Sequence, residues 1–154
     1  MNRFKSMIFM IAVLVMSMSC EKDQQPAVQY LDITPNNISG VWKLVEWNGV
    51  SLNEETYFYI EFIRKDKEFI IYQNFDSMGD MPHVTTGEFN IIRDEAGLDI
   101  IRGNYDYSGG FWTHEYVVMG LTATDMTWTA EDDVNFIQKF VRVPVVPENI
   151  KGEF

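Results

Sequence analysis

The chain has 154 residues, 23 of them acidic against 12 basic, and a formal net charge of -11. That balance argues against nucleic acid as a partner, because such binding needs Lys and Arg to neutralise phosphates. A single cysteine, Cys20, excludes an internal disulfide and any paired-cysteine metal or redox motif.

Residues 1–5 make a short basic start, and residues 7–16 read MIFMIAVLVM. An apolar run of about ten residues suits a secretory signal and is too short to span a bilayer. Ser17-Met18-Ser19 then leads into Cys20. This resembles the lipobox of bacterial lipoproteins, with Ser17 where a branched aliphatic residue usually stands. The resemblance implies that residues 1–19 are a signal peptide and that Cys20 is the lipid anchor. It places the protein in the bacterial outer membrane, facing the periplasm or exposed at the cell surface. Glu21-Lys22-Asp23 suits either a surface-export signal or a solvated tether.

Arg3 and Lys5 are the only charges of the signal, so removing it leaves ten basic against 23 acidic residues. Such charge keeps an exported chain soluble and opposes adsorption to anionic lipid beyond the covalent anchor. Residues 20–36 are polar, contain Pro26 and Pro35, and read as a flexible tether. Residues 37–143 read as one folded domain. Residues 144–154 open with Pro144 and Pro147, cannot continue a central strand, and are expected to form an extended tail.

Within the domain, segments of alternating polarity succeed one another at short spacing. They cover residues 41–48, 56–63, 68–73, 86–92, 98–102, 112–119, 126–129 and 134–142. Each is rich in Tyr, Phe, Trp, Ile, Val or Thr, and the links are short and polar. Residues 51–55 could make one helical turn at most. Short links favour antiparallel neighbours. Eight such strands leave two raw edges unless the sheet closes, so the fold expected is an all-β, eight-stranded antiparallel up-and-down barrel. A β-sandwich is the rival, since periodicity does not report closure.

Alternation assigns an inward face. Phe58, Ile60 and Phe62 share one parity; so do Phe69 and Ile71, Phe89 and Ile91, Leu98 and Ile100, Tyr116 and Val118, and Phe136 and Phe140. Tyr57, Tyr59 and Ile101 fall on the outward parity, and are expected to touch the tail or a partner.

Gly40-Val41-Trp42 on the first strand answers Phe140-Val141-Arg142 on the last. With Glu61-Phe62, Thr86-Gly87-Glu88-Phe89 and the run from Leu121 to Met126, the chain resembles the lipocalin-like (calycin) domains of small bacterial lipoproteins. The resemblance covers roughly residues 37–143. It implies a barrel-closing group, with Trp42 plugging one end, Arg142 lying across the indole, and Gly40 allowing the tight turn. Such a cation–π contact contributes about 0.5–2 kcal/mol.

Nothing marks an enzyme. His83 and His114 sit in no HExxH motif, and no GxSxG or phosphate-binding loop occurs. Met78, Met81 and His83 gather in one loop, but no metal site and no cofactor are expected. The leading expectation is a monomeric, membrane-anchored binding module with a small apolar ligand inside the barrel. Its candidate lining residues are Phe58, Phe62, Phe69, Phe89, Tyr116, Trp128 and Phe136. Any pocket is expected at the end opposite Trp42 and to be apolar with few charges. That would favour a fatty acyl chain, a sterol-like or a porphyrin-like ligand over a sugar or nucleotide. The alternative is a protein-interaction module, an inhibitor or accessory subunit of an envelope complex, with a filled barrel and loops 74–85 and 104–111 as contacts.

Overall fold

The computed structural model describes residues 27–74 and 82–151. The signal peptide, Cys20, Met78 and Met81 lie outside the described residues. Ten strands run in chain order: β1 (Gly40–Trp47), β2 (Val50–Ser51), β3 (Phe58–Ile63), β4 (Glu68–Gln73), β5 (His83–Arg93), β6 (Asp99–Tyr105), β7 (Gly110–Phe111), β8 (Tyr116–Met119), β9 (Asp125–Ala130) and β10 (Ile137–Val143). Two helical turns flank them, α1 (Pro35–Ile38) and α2 (Glu148–Lys151).

The sheet closes. Its order is β10-β9-β8-β6-β5-β4-β3-β1, and β1 pairs back to β10. The result is a closed, eight-stranded antiparallel up-and-down barrel. Closure satisfies the backbone groups that edge strands would leave open. The two short strands are additions at one rim, β2 beside β1 and β7 beside β6. The first arises from chain chemistry that favours a hairpin. Asn48 and Gly49 take φ of 51° and 81°, and Trp47 pairs with Val50 across them. Asn-Gly is the preferred pair for so tight a turn.

The ends of the barrel differ. The β3–β4, β5–β6 and β8–β9 turns share one end with α1 and the start of β1. That end is sealed. Thr34 caps α1 by accepting from the Asn37 amide at 3.2 Å, and Pro35 is the first helical residue. Both are favoured helix-start positions, so the expected tether already has structure by residue 35. Upstream of it, the Leu31 amide donates to the Leu121 carbonyl at 2.8 Å. Leu31 and Ile33 pack against the core from this side.

The interior below the midline is solid. Phe62 meets Phe89 edge-on at 4.8 Å, Trp128 meets Phe140 at 4.7 Å, and Phe69 meets Trp112 at 5.1 Å. Trp42, Leu44, Ile60 and Ile101 have no exposed surface. Fully burying a side chain of this kind contributes about 1.5–3 kcal/mol each.

Ile101 corrects the expected parity. It pairs with Ile91 and Tyr116 and belongs to the interior cluster, whereas Leu98 is exposed and Ile100, though buried, lies outside that cluster. Gly103 explains this, because it shares the face of Ile101. A Cβ at Gly103 would lie 2.2 Å from the Trp112 ring, so the indole occupies the space that any other residue would fill. The sixth expected strand also differs. Only residues 116–119 of it form β8, and residues 112–115 link β8 to the short β7 before them; there the Trp112 amide donates to the Gly103 carbonyl and the indole turns inward.

The outward tyrosines are covered by the tail. Val146 and Ile150 form a second small core with Val41 and Tyr59, flanked by Tyr57, Tyr72 and Val143. The tail is therefore not extended throughout. One helical turn comes after Pro147, and its Ile150 and Lys151 amides return to the Pro147 carbonyl.

Candidate functional site: the open end of the barrel

The barrel has a seal at one end and a cavity at the other. In the seal, Trp42 and Arg142 are direct cross-strand partners between β1 and β10. The guanidinium carbon lies 4.1 Å from the indole ring centroid. The indole Nε1 donates to the Ile38 carbonyl at 2.8 Å. Arg142 donates through Nε to Ala123 O at 2.9 Å, through Nη2 to Asn37 O at 2.6 Å, and through Nη1 to Ser39 O. The planar fork of arginine thus ties α1, the β8–β9 turn and β10 together. Burial lowers the Arg142 pKa from its ordinary value, and the three carbonyls replace the lost water. Gly40 has φ of 114°, and a Cβ there would lie 2.8 Å from Arg142 Nη1. The glycine supplies both the conformation and the space.

At the other end lies a cavity of about 340 Å³. Phe58, Ile60 and Ile71 from β3 and β4 form one side, with Trp47 at the end of β1. Tyr105, Trp112, Tyr116, Trp128 and Phe136 form the rest of the apolar wall. Tyr116 stacks on Trp128 at 5.1 Å, which fixes the planes of both rings. Burial pushes the Tyr116 hydroxyl pKa well above its ordinary value, with Tyr105 and Asp132 adding to the shift.

Polar groups interrupt this wall. Gln73, Thr113, His114 and Gln138 line it. Gln138 is 6% exposed. Gln73 Nε2 lies 2.7 Å from His83 Nε2. His114 Nδ1 lies 2.7 Å from Asp132 Oδ1. A carboxylate accepts, so the ring donates through Nδ1 to Asp132. The His114 ring also lies 4.7 Å from Phe136, which holds it at the mouth.

No protein-family model and no curated protein matches this chain. The chemistry of the site itself therefore carries the functional assignment.

Of the expected lining residues, Phe58, Tyr116, Trp128 and Phe136 do surround the cavity. Phe62, Phe69 and Phe89 do not. Their rings pack beneath it in the core cluster, nearer the sealed end. The wall is also more polar than expected. Gln73 and Gln138 were legible in principle, since each shares the inward parity of its aromatic or aliphatic neighbours. So was Trp112, which shares the parity of Tyr116 and Val118; Trp47 and Tyr105 were not, because each sits where a strand ends. Among the described residues, no three His, Cys, Asp or Glu side chains gather as a metal site.

Proposed function

We propose that this chain is a lipocalin-like binding module of the bacterial cell envelope, anchored through a lipid on Cys20 and holding one small, largely apolar ligand in its barrel. The observation that carries the binding role is the cavity of about 340 Å³ walled by aromatic rings at the open end of the barrel. Small-molecule sites are typically concave and apolar, with a few placed polar groups, and this one fits that pattern. The anchor rests on the sequence around Cys20 alone. The segment after the anchor reaches the barrel at its sealed end, through Leu31. The lipid would then hold that end toward the membrane and leave the mouth pointing away.

The test has two parts. Metabolic labelling of the full chain with a fatty acid should mark the wild type and not Cys20→Ser. Native mass spectrometry of the chain purified from its membrane should show one retained small molecule. Absence of label overturns the anchor. A bare mass, with no uptake of any added apolar compound, overturns the ligand.

A protein-interaction role has its own support. Tyr107 is 98% exposed, Phe111 79%, Val134 73% and Val50 69%, and all four sit on connections at the open rim. On that reading the rim, rather than the cavity, would be the working surface.

A further inference from the structure

The connections at the open end carry Glu54, Glu55, Asp106, Glu115, Glu131, Asp132 and Asp133, and no lysine or arginine among their described residues, with Arg102 of β6 3.6 Å from Glu115. The sealed end mixes both signs, with Arg64, Lys65, Lys67 and Arg93 beside Asp66, Asp94 and Glu95 in its turns. The mouth is therefore an acidic ring around an aromatic well. A cleft edged by one sign of charge and walled by low-dielectric material concentrates the opposite charge. Aromatic faces add a direct attraction for a cation that has shed its water. No lysine or arginine lines the cavity, so a carboxylate or phosphate entering it would meet no permanently charged partner.

The interior adds a second requirement. Trp112 and Trp128 line the cavity, are 8% and 2% exposed, and their Nε1 donors meet no acceptor among the described residues. A buried donor left without an acceptor is costly, and an occupant supplying an oxygen would relieve it.

We propose that the cavity takes a compact organic cation, a quaternary or alkylated amine carrying an oxygen acceptor, with its charge at the acidic mouth and its oxygen toward the buried indoles. This narrows the ligand class of the binding module and rests on that reading. It also departs from the fatty-acid expectation, because the field at the mouth has the wrong sign for a fatty acid.

The test compares two probes of one shape. Acetylcholine and 3,3-dimethylbutyl acetate differ in a quaternary nitrogen against a carbon, and both carry an ester oxygen. Binding to the full-length chain in nanodiscs is monitored by intrinsic fluorescence, since Trp47, Trp112 and Trp128 line the cavity. The cation is expected to bind about tenfold or more tightly than its neutral twin, in line with the strength of a sheltered cation–π contact. Raising the salt concentration should weaken the cation and leave the twin unchanged. The exposed triple variant Glu54→Gln, Glu55→Gln, Glu131→Gln should weaken the cation several-fold and leave the twin unchanged, with an unaltered circular dichroism spectrum. Equal affinities, a tighter neutral probe, or binding of the neutral dye Nile red with no binding of acetylcholine would overturn the cation and leave the binding module standing. Failure of all three compounds to bind would overturn both.

Discussion

Arg142 lies over Trp42, 4.1 Å from guanidinium carbon to ring centroid, and the two are paired residues of the first and last strands of the ring. The contact therefore joins the ends of the chain's barrel at the place where closure has to be held. It also sits on the three carbonyls of Asn37, Ser39 and Ala123, so its loss would strand backbone acceptors that this side chain now satisfies.

A double-mutant cycle measures this. Trp42→Ala, which empties a fully buried indole site, should cost about 3–5 kcal/mol. Arg142→Ala should cost less. The double variant, in urea unfolding, should cost about 1–2 kcal/mol less than the sum of the singles, because both remove one contact. Additive losses would mean that the two side chains act independently.

Gly103→Ala should destabilise by about 1–3 kcal/mol, the usual cost of overpacking. The added methyl would meet the Trp112 ring at 2.2 Å, and the ring belongs to the cavity wall. A shift in tryptophan emission should accompany the loss. Unchanged stability and unchanged emission would place Trp112 elsewhere.

Covering of the outer tyrosines by the tail is tested by ending the chain after Val143. That removes Val146 and Ile150 from Val41 and Tyr59. The melting temperature should fall, and Val146→Ala alone should account for about 1–3 kcal/mol of the loss. A truncated chain as stable as the full one would show that the tail packs weakly in solution.

Alkaline pH should expose the buried tyrosines. Burial raises the Tyr116 pKa above the ordinary 10.0, and burial also raises Tyr59 and Tyr105. The folded chain then holds these protons more tightly than the unfolded chain. Their contribution is complete below pH 10.0 and is lost as the pH rises from there through the raised folded-state values. Unfolding free energies should therefore fall progressively above about pH 10, and Tyr116→Phe should flatten the fall. An equal slope in the two proteins would mean that Tyr116 titrates as an exposed phenol.

The barrel was legible because alternation and short polar links are local signals, and the Trp42–Arg142 pair because closure makes first and last strands neighbours. Other features are tertiary. Ile100 and Ile101 are chemically identical, so alternation could not choose between them. Gly103 chose, by accepting the Trp112 indole against its Cα. The break between β7 and β8 has the same origin, since Trp112 leaves the strand to fill the well. The tail's helical turn was hidden behind two prolines, which end a strand without dictating the conformation of the residues beyond them. Part of the cavity wall, including Trp47 and Tyr105, comes from strand ends, where parity carries least information.

Ligand binding rests on the open well. Nile red is neutral and brightens in apolar surroundings, so it reports the cavity without regard to charge. Titrated into the wild-type chain, it should bind at one site with micromolar affinity, about -8 kcal/mol. Ile71 lies on the cavity wall and is 4% exposed, and Ile71→Phe would place a ring in the empty volume. That variant should fold, by circular dichroism and thermal unfolding, and should lose the dye at least tenfold. Wild-type and Ile71→Phe proteins that bind the dye equally, or a wild type that binds neither the dye nor acetylcholine nor its neutral twin, would contradict a ligand-holding barrel.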